Sequence, residues 1–200
     1  MISPELRSTV QSWIDDEVDA SAAEELEALL AAESEELEDR FSGPLLFGTA
    51  GLRGPLRAGP NGMNRAVVRR AAAGLAGWLR STGSVGRVVV GYDGRHGSLD
   101  FARDSAAIFA AAGFESMLLP RLLPTPLLAF AVRRLGAVLG VMVTASHNPP
   151  QDNGYKVYLG DGAQIVAPVD AEIEAAIRSV GPTRAIGLAD SFVADVMAHR

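Results

Sequence analysis

The sequence predicts an α/β fold, namely a three-layer α/β/α domain with a mixed sheet that is preceded by an N-terminal helical extension. From residue 44 onward, short β-like runs alternate with amphipathic helical segments, which is typical of a sheet covered by helices on both faces. One run, "AVLGVMVTA", is apolar at nearly every position, as expected of a central strand. The first 40 residues differ, because they hold 13 acidic and two basic residues together with leucines at helical spacing.

The extension is expected to contain two helices, over residues 3–18 and 22–40. Ser3 and Ser21 are the N-cap signals. Four apolar positions at helical spacing predict a buried stripe: Leu26, Leu29, Leu30 and Leu37. We therefore expect the two helices to pack as a hairpin against the body of the protein.

The body is expected to follow the order helix, strand, helix, strand, helix, strand. The predicted helices span 65–81, 99–113 and 126–136, and the predicted strands span 87–92, 115–120 and 137–145. A further helix is predicted over 168–181, and "ADSFVADVMAHR" is expected to begin another.

The stretch "NGYKVYLGDGAQIV" predicts a β-hairpin, which would make the sheet mixed. Asn153-Gly154 and Asp161-Gly162 are the turn signals on either side of its first strand. Within that strand, alternation places Tyr155 and Val157 on one face and Lys156 on the other.

We expect three segments: the acidic extension (1–43), the α/β domain (44–186), and the truncated start of a linker or second domain (187–200). The extension has a net charge of −11 and the rest of the chain +5. The basic residues of the body are nearly all arginines without interleaved aromatics, which favours small phosphorylated ligands over nucleic acid.

The composition excludes several classes of site. The chain has no cysteine, so it has neither disulfides nor thiolate metal ligands. No apolar stretch approaches the ~20 residues that cross a bilayer, and the first residues lack the pattern of a signal peptide. We expect a cytoplasmic protein that does not associate with membranes.

Three stretches marked by glycine or proline are expected to gather at the carboxyl ends of the strands, where ligands bind in sheets of this type. In "FGTAGLRG", the glycines frame Thr49 and Arg53, whose guanidinium could hold a phosphate through two hydrogen bonds. A tight turn with a surface arginine explains the same residues equally well.

The second stretch, "GYDGRHGS", has a structural explanation that we favour. Asp93 and Arg95 can pair with each other, and Ser98 is well placed to cap the next helix. His96 is expected to be an exposed loop residue.

The third stretch, "TASHNPP", places Ser146 directly after a buried strand. Pro149-Pro150 prevents a helix or a regular strand from continuing, so the hydroxyl is presented on a stiff, irregular loop. The stretch has no G-x-S-x-G elbow, and His147, as the adjacent residue, is poorly placed to deprotonate Ser146. A Ser-His-Asp hydrolase is therefore disfavoured, and the absence of a G-x-x-x-x-G-K-[ST] sequence argues against a P-loop nucleotidase.

Lys156 is the only lysine among 18 basic residues, and it follows Ser146 by ten positions. An ammonium group can lose its proton at accessible pH whereas a guanidinium cannot, so a lysine suits a general acid or base beside a phosphate. A chance lysine on an exposed strand face is the alternative, which we consider the weaker one.

These residues carry a resemblance to a known family. "TASHNPPQDNGYKVY" resembles the active-site signature of the α-D-phosphohexomutases, the phosphoglucomutase and phosphomannomutase family. "FGTAGLRG" with "GPNGMN", "GYDGRHGS" and "LLPTP" are similar to its other markers, in the same order, over roughly residues 44–180.

The resemblance implies a reaction and a role for each matched residue. Ser146 would be phosphorylated, would donate its phosphoryl group to a sugar monophosphate, and would bind Mg²⁺ through a phosphoserine oxygen. His147, Lys156 and Arg53 would assist proton transfer and charge stabilisation. The residues expected to bind substrate or phosphate are Thr49, Arg53, Asn148, Lys156 and Arg95. Glucose 1,6-bisphosphate is expected as an activator.

The chain departs from the family in having no Asp-x-Asp-x-Asp magnesium loop, which the family carries in a second domain. We therefore expect the first domain of a longer mutase, inactive in turnover by itself, with the remaining domains of the same polypeptide as its partners. A phosphopentomutase-type member of the family and a non-catalytic phosphosugar-binding module remain as alternatives. The three retained residues Ser146, His147 and Lys156 favour an enzyme, whereas the missing loop favours the binding module.

Overall fold

The computed structural model describes residues 2–192, so most of the helix expected over "ADSFVADVMAHR" lies outside the described residues. The extension forms three helices, α1 (Pro4–Asp16), α2 (Ala20–Ala31) and α3 (Glu36–Arg40). None of the described helices is both long enough and apolar enough to cross a bilayer.

Two expectations about the extension were wrong. The helix predicted over 22–40 is divided into α2 and α3, because the chain turns at Glu33, which has a left-handed φ of 48°, and the Ser34 N–H bonds back to the Leu29 carbonyl at 3.0 Å. The N-cap of α2 is Asp19, whose carboxylate accepts from the Ser21 N–H at 3.0 Å. Ser3 caps α1 as predicted.

The extension packs against the body, as expected, but as three helices rather than a hairpin. Its own small core consists of residues from all three helices and one from the body: Ile2, Val10, Ile14, Ala22, Leu26, Leu30, Leu37 and Ala58. The carboxylate of Asp16 also accepts from the backbone N–H groups of Thr183 and Arg184 at 2.7 and 3.1 Å. The Arg70 guanidinium lies 5.9 Å from the ring centroid of Trp13.

The body is a five-stranded mixed sheet with helices on both faces. Its elements are β1 (Leu52–Pro55), α4 (Arg65–Ser81), β2 (Arg87–Tyr92), α5 (Ser98–Ala111), β3 (Glu115–Leu118), α6 (Thr125–Leu135), β4 (Leu139–Val143), β5 (Asp152–Leu159), α7 (Val169–Arg178) and a 3₁₀ turn (Thr183–Ala185). The strand order is β1-β5-β4-β2-β3, and β5 runs antiparallel to both of its neighbours. The strand β4 is buried throughout and central, as its apolar sequence predicted.

The turn predicted at Asp161-Gly162 is present, with the Gly162 N–H donating to the Leu159 carbonyl at 2.8 Å, but the other turn signal and the second strand of the hairpin were wrong. Asn153 and Gly154 lie inside β5 and form no turn, while the second arm reduces to a single bridge between Tyr158 and Gln164. The sheet is mixed because β5 itself is inserted between β4 and β1. Asn153-Gly154 forms no turn because the backbones on either side of β5 approach Gly154 closely. A Cβ on this residue would lie 2.7 and 2.8 Å from the carbonyl oxygens of Thr144 and Leu52, so the glycine serves strand packing here.

The two faces of the sheet are covered unequally. The helices α4, α5 and α7 contribute to the larger core, which contains Tyr155 and Val157 of β5. On the opposite face α6 packs mainly over β2 and β4. Lys156, which lies opposite Met142 of β4, is on this second face.

Asp104 of α5 connects this helix to α4 through ion pairs with Arg65 and Arg69, and their contribution to stability can be tested. Its buried carboxylate accepts from the guanidinium groups of Arg65 and Arg69 at 2.8 to 3.2 Å. Burial by itself would raise the pKa of the Asp104 carboxyl, but the hydrogen bonds and charges of the two arginines outweigh it, so this pKa lies below its ordinary value.

We expect Asp104→Asn to lower the free energy of unfolding at pH 7 by about 2 kcal/mol, because bonds to a charged acceptor are lost. A depressed folded-state pKa contributes stability above the unfolded pKa and loses it as pH falls through the folded pKa. The difference between the two chains in urea unfolding should therefore shrink below about pH 4. Asp100→Asn, at an exposed position of the same helix, is the control. A difference that stayed constant down to pH 2 would contradict the assignment.

Candidate active site

The carboxyl ends of β2 and β4 lie side by side, because these strands are parallel neighbours. The loop after β2 (93–97) therefore meets the loop after β4 (144–151), which we call the serine loop. The backbone N–H of Asp93 donates to the carbonyl oxygen of Val143 at 3.1 Å and joins the two loops at their start.

Ser146 is exposed at the first bend of the serine loop and has a left-handed φ of 58°. Its N–H donates to the Thr144 hydroxyl at 3.1 Å, and the Asn148 N–H donates to the Ala145 carbonyl at 3.0 Å. A serine seldom adopts this backbone conformation, which costs roughly 1–3 kcal/mol and is concentrated at functional sites. The loop thus holds the hydroxyl of Ser146 towards solvent in a conformation that local sequence preference would not select.

Arg53 reaches the serine loop from β1, an edge strand that the sequence did not predict. It lies opposite Gly154 of β5, and its Nη1 donates to Oδ1 of Asn148 at 3.1 Å. Asn148 is in turn oriented by Asp152, whose Oδ2 accepts from the Asn148 amide at 2.8 Å. The Nε of Arg53 is buried and has no hydrogen-bond partner among the described residues, so this guanidinium retains a free donor.

Lys156 lies on the same face of the sheet as Arg53, because residues 154 and 156 of β5 point to one side and Gly154 is the partner of Arg53. Its side chain is partly buried. Burial lowers the pKa of the Lys156 ammonium, and the positive charge of Arg53 lowers it further. Arg53 thus contacts the serine loop through Asn148, and Lys156 lies on the same face of the sheet, close enough to Arg53 for the two charges to interact. Two such cations could hold a phosphoryl group, and the lysine could exchange a proton with it.

The lowered pKa of Lys156 makes a prediction about stability. A folded-state ammonium with a depressed pKa destabilises the fold at pH values below that pKa, and the cost disappears as pH rises towards the unfolded value of about 10.4. We therefore expect Lys156→Met to unfold at a higher urea concentration than the unsubstituted chain at pH 7, by an increment that shrinks towards pH 10. The increment should exceed that of Arg103→Met, a substitution at an exposed helical position. A Lys156→Met chain that is less stable at pH 7 would contradict this account.

Thr49 and His147, two further predicted site residues, are both exposed. Thr49 lies in a two-residue turn closed by hydrogen bonds between Gly48 and Gly51, and its carbonyl accepts from Nε2 of Gln164 at 2.6 Å. The side chain of His147 makes no hydrogen bond within residues 2–192. Their predicted roles in binding phosphate and in proton transfer stay predictions.

The loop after β2 contains the expected ion pair between Asp93 and Arg95, but Ser98 is not the expected helix cap. Nε of Arg95 lies 3.5 Å from Oδ2 of Asp93. Ser98, however, is the first residue of α5 rather than its cap, and its hydroxyl donates to Asp93 at 2.8 Å. The terminal nitrogens of Arg95 donate to backbone carbonyls of the serine loop, a contact that the sequence did not suggest. His96 is exposed, as predicted.

Sequence reasoning missed two residues that hold the site together, Asp152 and Asn153. Asn153 is fully buried, and its amide donates to the carbonyl of His96 at 2.8 Å and to the hydroxyl of Ser98 at 3.0 Å. Asn153 was interpreted as half of a turn signal. The signal that could have identified it is its place in a strand whose neighbours Tyr155 and Val157 are buried, since a polar residue there needs partners.

The expected magnesium site can be tested only against the ligands that this chain supplies. Among residues 2–192, no group of three or more histidine, aspartate or glutamate side chains is arranged to hold a metal ion. The carboxylate of Asp152, the first residue of β5, accepts a hydrogen bond from the Asn148 amide. The described residues therefore do not form a magnesium site by themselves.

Residues 44–184 match the sequence profile of the phosphoglucomutase/phosphomannomutase alpha/beta/alpha domain I. A probable phosphomannomutase of Haemophilus influenzae is 52% identical over 137 residues, which is 66% of this chain and 28% of that protein. A phosphoribomutase of Saccharomyces cerevisiae is 41% identical over 181 residues, which is 88% of this chain and 29% of that protein.

A solved structure has the same fold. The crystal structure of a putative phosphomannomutase from Thermus thermophilus superimposes with a TM-score of 0.67 and 38% sequence identity, over 76% of this chain and 33% of that one. The chain thus spans about three tenths of the length of these relatives.

Proposed function

The chain belongs to the phosphoglucomutase/phosphomannomutase family, and we propose that it carries the phosphoserine of a phosphosugar mutase. The observation that carries this proposal is the exposed hydroxyl of Ser146, held in a left-handed turn on the loop that Arg53 contacts through Asn148. The family profile matches residues 44–184, a range that includes Arg53, Ser146 and Lys156.

In the proposed reaction the phosphoryl group of phospho-Ser146 passes to a hydroxyl of a hexose monophosphate. The P–O bond to serine breaks as the new P–O bond to the sugar forms, and the proton of the sugar hydroxyl leaves through a base. The resulting bisphosphate reorients and returns its other phosphoryl group to Ser146, which completes the interconversion of hexose 1-phosphate and hexose 6-phosphate.

The chain's own groups have defined tasks in this scheme. Arg53 and Lys156 would stabilise charge on the transferred group, which carries about two negative charges as a phosphoserine near neutral pH. Lys156, with its lowered pKa, would exchange a proton with the reacting oxygen. Mg²⁺ on a phosphoserine oxygen would neutralise charge on the transferred group, with the remaining metal ligands supplied from outside the described residues.

A pentose phosphate is the second candidate substrate, because the relative that is named a phosphoribomutase matches 88% of this chain. A match over 88% of the chain has to include part of the acidic extension, because residues 44–200 make up less than four fifths of the chain. That relative is named a phosphoribomutase, whereas the match to the probable phosphomannomutase covers 66%.

Intact-mass measurement tests the proposal most directly. Incubation with glucose 1,6-bisphosphate and Mg²⁺ should add one phosphoryl group, and peptide mapping should place it at Ser146. Ribose 1,5-bisphosphate in a parallel reaction compares the two substrate classes. A phosphoryl group on another residue, or none on a chain that circular dichroism shows to be folded, would contradict the proposal for this chain.

A further inference from the structure

We propose that Arg95 is a positioning residue, one that fixes the backbone of the serine loop so that the hydroxyl of Ser146 points in one direction. The inference rests on the proposed function of Ser146. It gives Arg95 a role different from phosphate binding, the role that the resemblance implied.

The guanidinium of Arg95 binds four main-chain carbonyls, three in the serine loop and one at Asp152, the first residue of β5. Nη1 donates to the carbonyls of Pro149 and Asp152 at 2.7 and 3.0 Å. Nη2 donates to the carbonyls of Ser146 and Asn148 at 3.0 and 2.8 Å. The loop has no regular secondary structure between Ser146 and Pro149, so these bonds replace the strand or helix pairing that it lacks.

The fifth donor of Arg95 is also engaged. Nε faces the Asp93 carboxylate, whose other oxygen accepts from the backbone N–H of Arg95 at 3.0 Å and from the Ser98 hydroxyl at 2.8 Å. A guanidinium has five N–H donors. The four on the terminal nitrogens of Arg95 are used by main-chain carbonyls, and Nε lies in an ion pair with Asp93, so no terminal donor is left for a phosphate. The Arg95 side chain is only 16% exposed, as expected of a partly buried residue that holds the loop rather than of a cation that faces a ligand.

The hydrogen bonds of Arg95 help to fix the backbone conformation of Ser146. The carbonyl of Ser146 is fixed by Nη2 of Arg95 and its N–H by the Thr144 hydroxyl, so both ends of the residue are fixed around its left-handed φ. Misplacement of a reacting group by about 1 Å can lower a rate about a hundredfold. A lysine at 95 could not reproduce this geometry, because its single nitrogen cannot span four carbonyls.

The test compares Arg95→Lys with Arg103→Lys, a matched substitution at an exposed position. In amide hydrogen exchange, Arg95→Lys should increase the rates of Ser146, Asn148 and Asp152 at least about tenfold and leave β2 unchanged, because the loop would open locally while the sheet stays folded. Unchanged exchange at these three amides, relative to Arg103→Lys, would overturn the proposal.

Phosphoryl uptake from glucose 1,6-bisphosphate separates positioning from phosphate binding. For Arg95→Lys we expect the maximal rate of uptake to fall about tenfold or more and the half-saturating concentration to stay the same, as for a group needed only to align the reaction. A raised half-saturating concentration with an unchanged maximal rate would instead make Arg95 a phosphate ligand. If the unsubstituted chain takes up no phosphoryl group, the proposed function fails while the exchange experiment still decides the role of Arg95.

Asp93→Asn provides a second variant in case Arg95→Lys does not fold. It keeps an oxygen for the Ser98 hydroxyl but removes the negative charge that faces Nε of Arg95. Faster exchange at the same three amides, by a smaller factor, is expected. Exchange equal to that of the unsubstituted chain would overturn the proposal.

Discussion

A Ser146→Ala chain is expected to take up no phosphoryl group under conditions in which the unsubstituted chain takes up one. The hydroxyl oxygen is the proposed nucleophile, and alanine removes it while keeping a Cβ in the same left-handed turn. The side-chain oxygen of Ser146 makes no hydrogen bond within the part of the chain that the structure describes. The free energy of unfolding should therefore change by less than about 0.5 kcal/mol.

Ser81→Ala is the matched control, since Ser81 is an exposed serine at the end of α4, away from the site. It should take up one phosphoryl group at the rate of the unsubstituted chain. Equal uptake by Ser146→Ala and Ser81→Ala, measured by intact mass, would contradict the assignment of Ser146. A Ser146→Ala chain that lost several kcal/mol of stability would instead show that the residue has a structural role.

The largest effect on stability is expected from Gly154→Ala. The added Cβ would come within 2.7 to 2.8 Å of two main-chain carbonyl oxygens, that of Thr144, which directly follows β4, and that of Leu52 in β1. Neither backbone can move without disturbing the pairing of β5 with β4 or β1. We expect a loss of about 3 to 5 kcal/mol in the free energy of unfolding, measured in urea.

Gly77→Ala is the control for this substitution. Gly77 lies inside α4, and a Cβ there would meet no atom within 4 Å. Alanine is the better helix former, so this variant should gain about 0.5–1 kcal/mol. Because Gly154 lies opposite Arg53, Gly154→Ala should also slow phosphoryl uptake at temperatures where the chain is still folded. A stability loss below about 1 kcal/mol would show that the strands are free to separate.

The helices and parallel strands of the body could be predicted from the sequence because their signals are local. The strand predicted over 87–92 is β2, and the helix predicted over 65–81 is α4. Residues a few positions apart determine apolar periodicity, capping and the effect of Pro149-Pro150, so Ser146 could be placed at a strand end from its immediate neighbours alone. The isolation of Lys156 among arginines is likewise a property of composition.

The continuous helix predicted over 22–40 and the turn predicted at Asn153-Gly154 were wrong, because local sequence preferences were considered without the contacts made by neighbouring elements. Asn153-Gly154 favours a turn in isolation. In the fold the same two residues lie where β4, β5 and β1 approach closely, and the gain from pairing three strands outweighs the turn preference.

Only the tertiary structure decided which groups surround Ser146. Arg53 contacts Asn148 across 95 positions of sequence, Arg95 reaches the carbonyl of Ser146 across 51, and Asn153 reaches His96 across 57. Such contacts depend on strand order and register, which create no periodic signal within one segment. The sequence by itself thus determined a strand-end serine and a single lysine. The pairing of β5 between β4 and β1 decided that Arg53 and Lys156 lie on one face of the sheet, and the parallel pairing of β2 with β4 brought a second arginine, Arg95, to the serine loop.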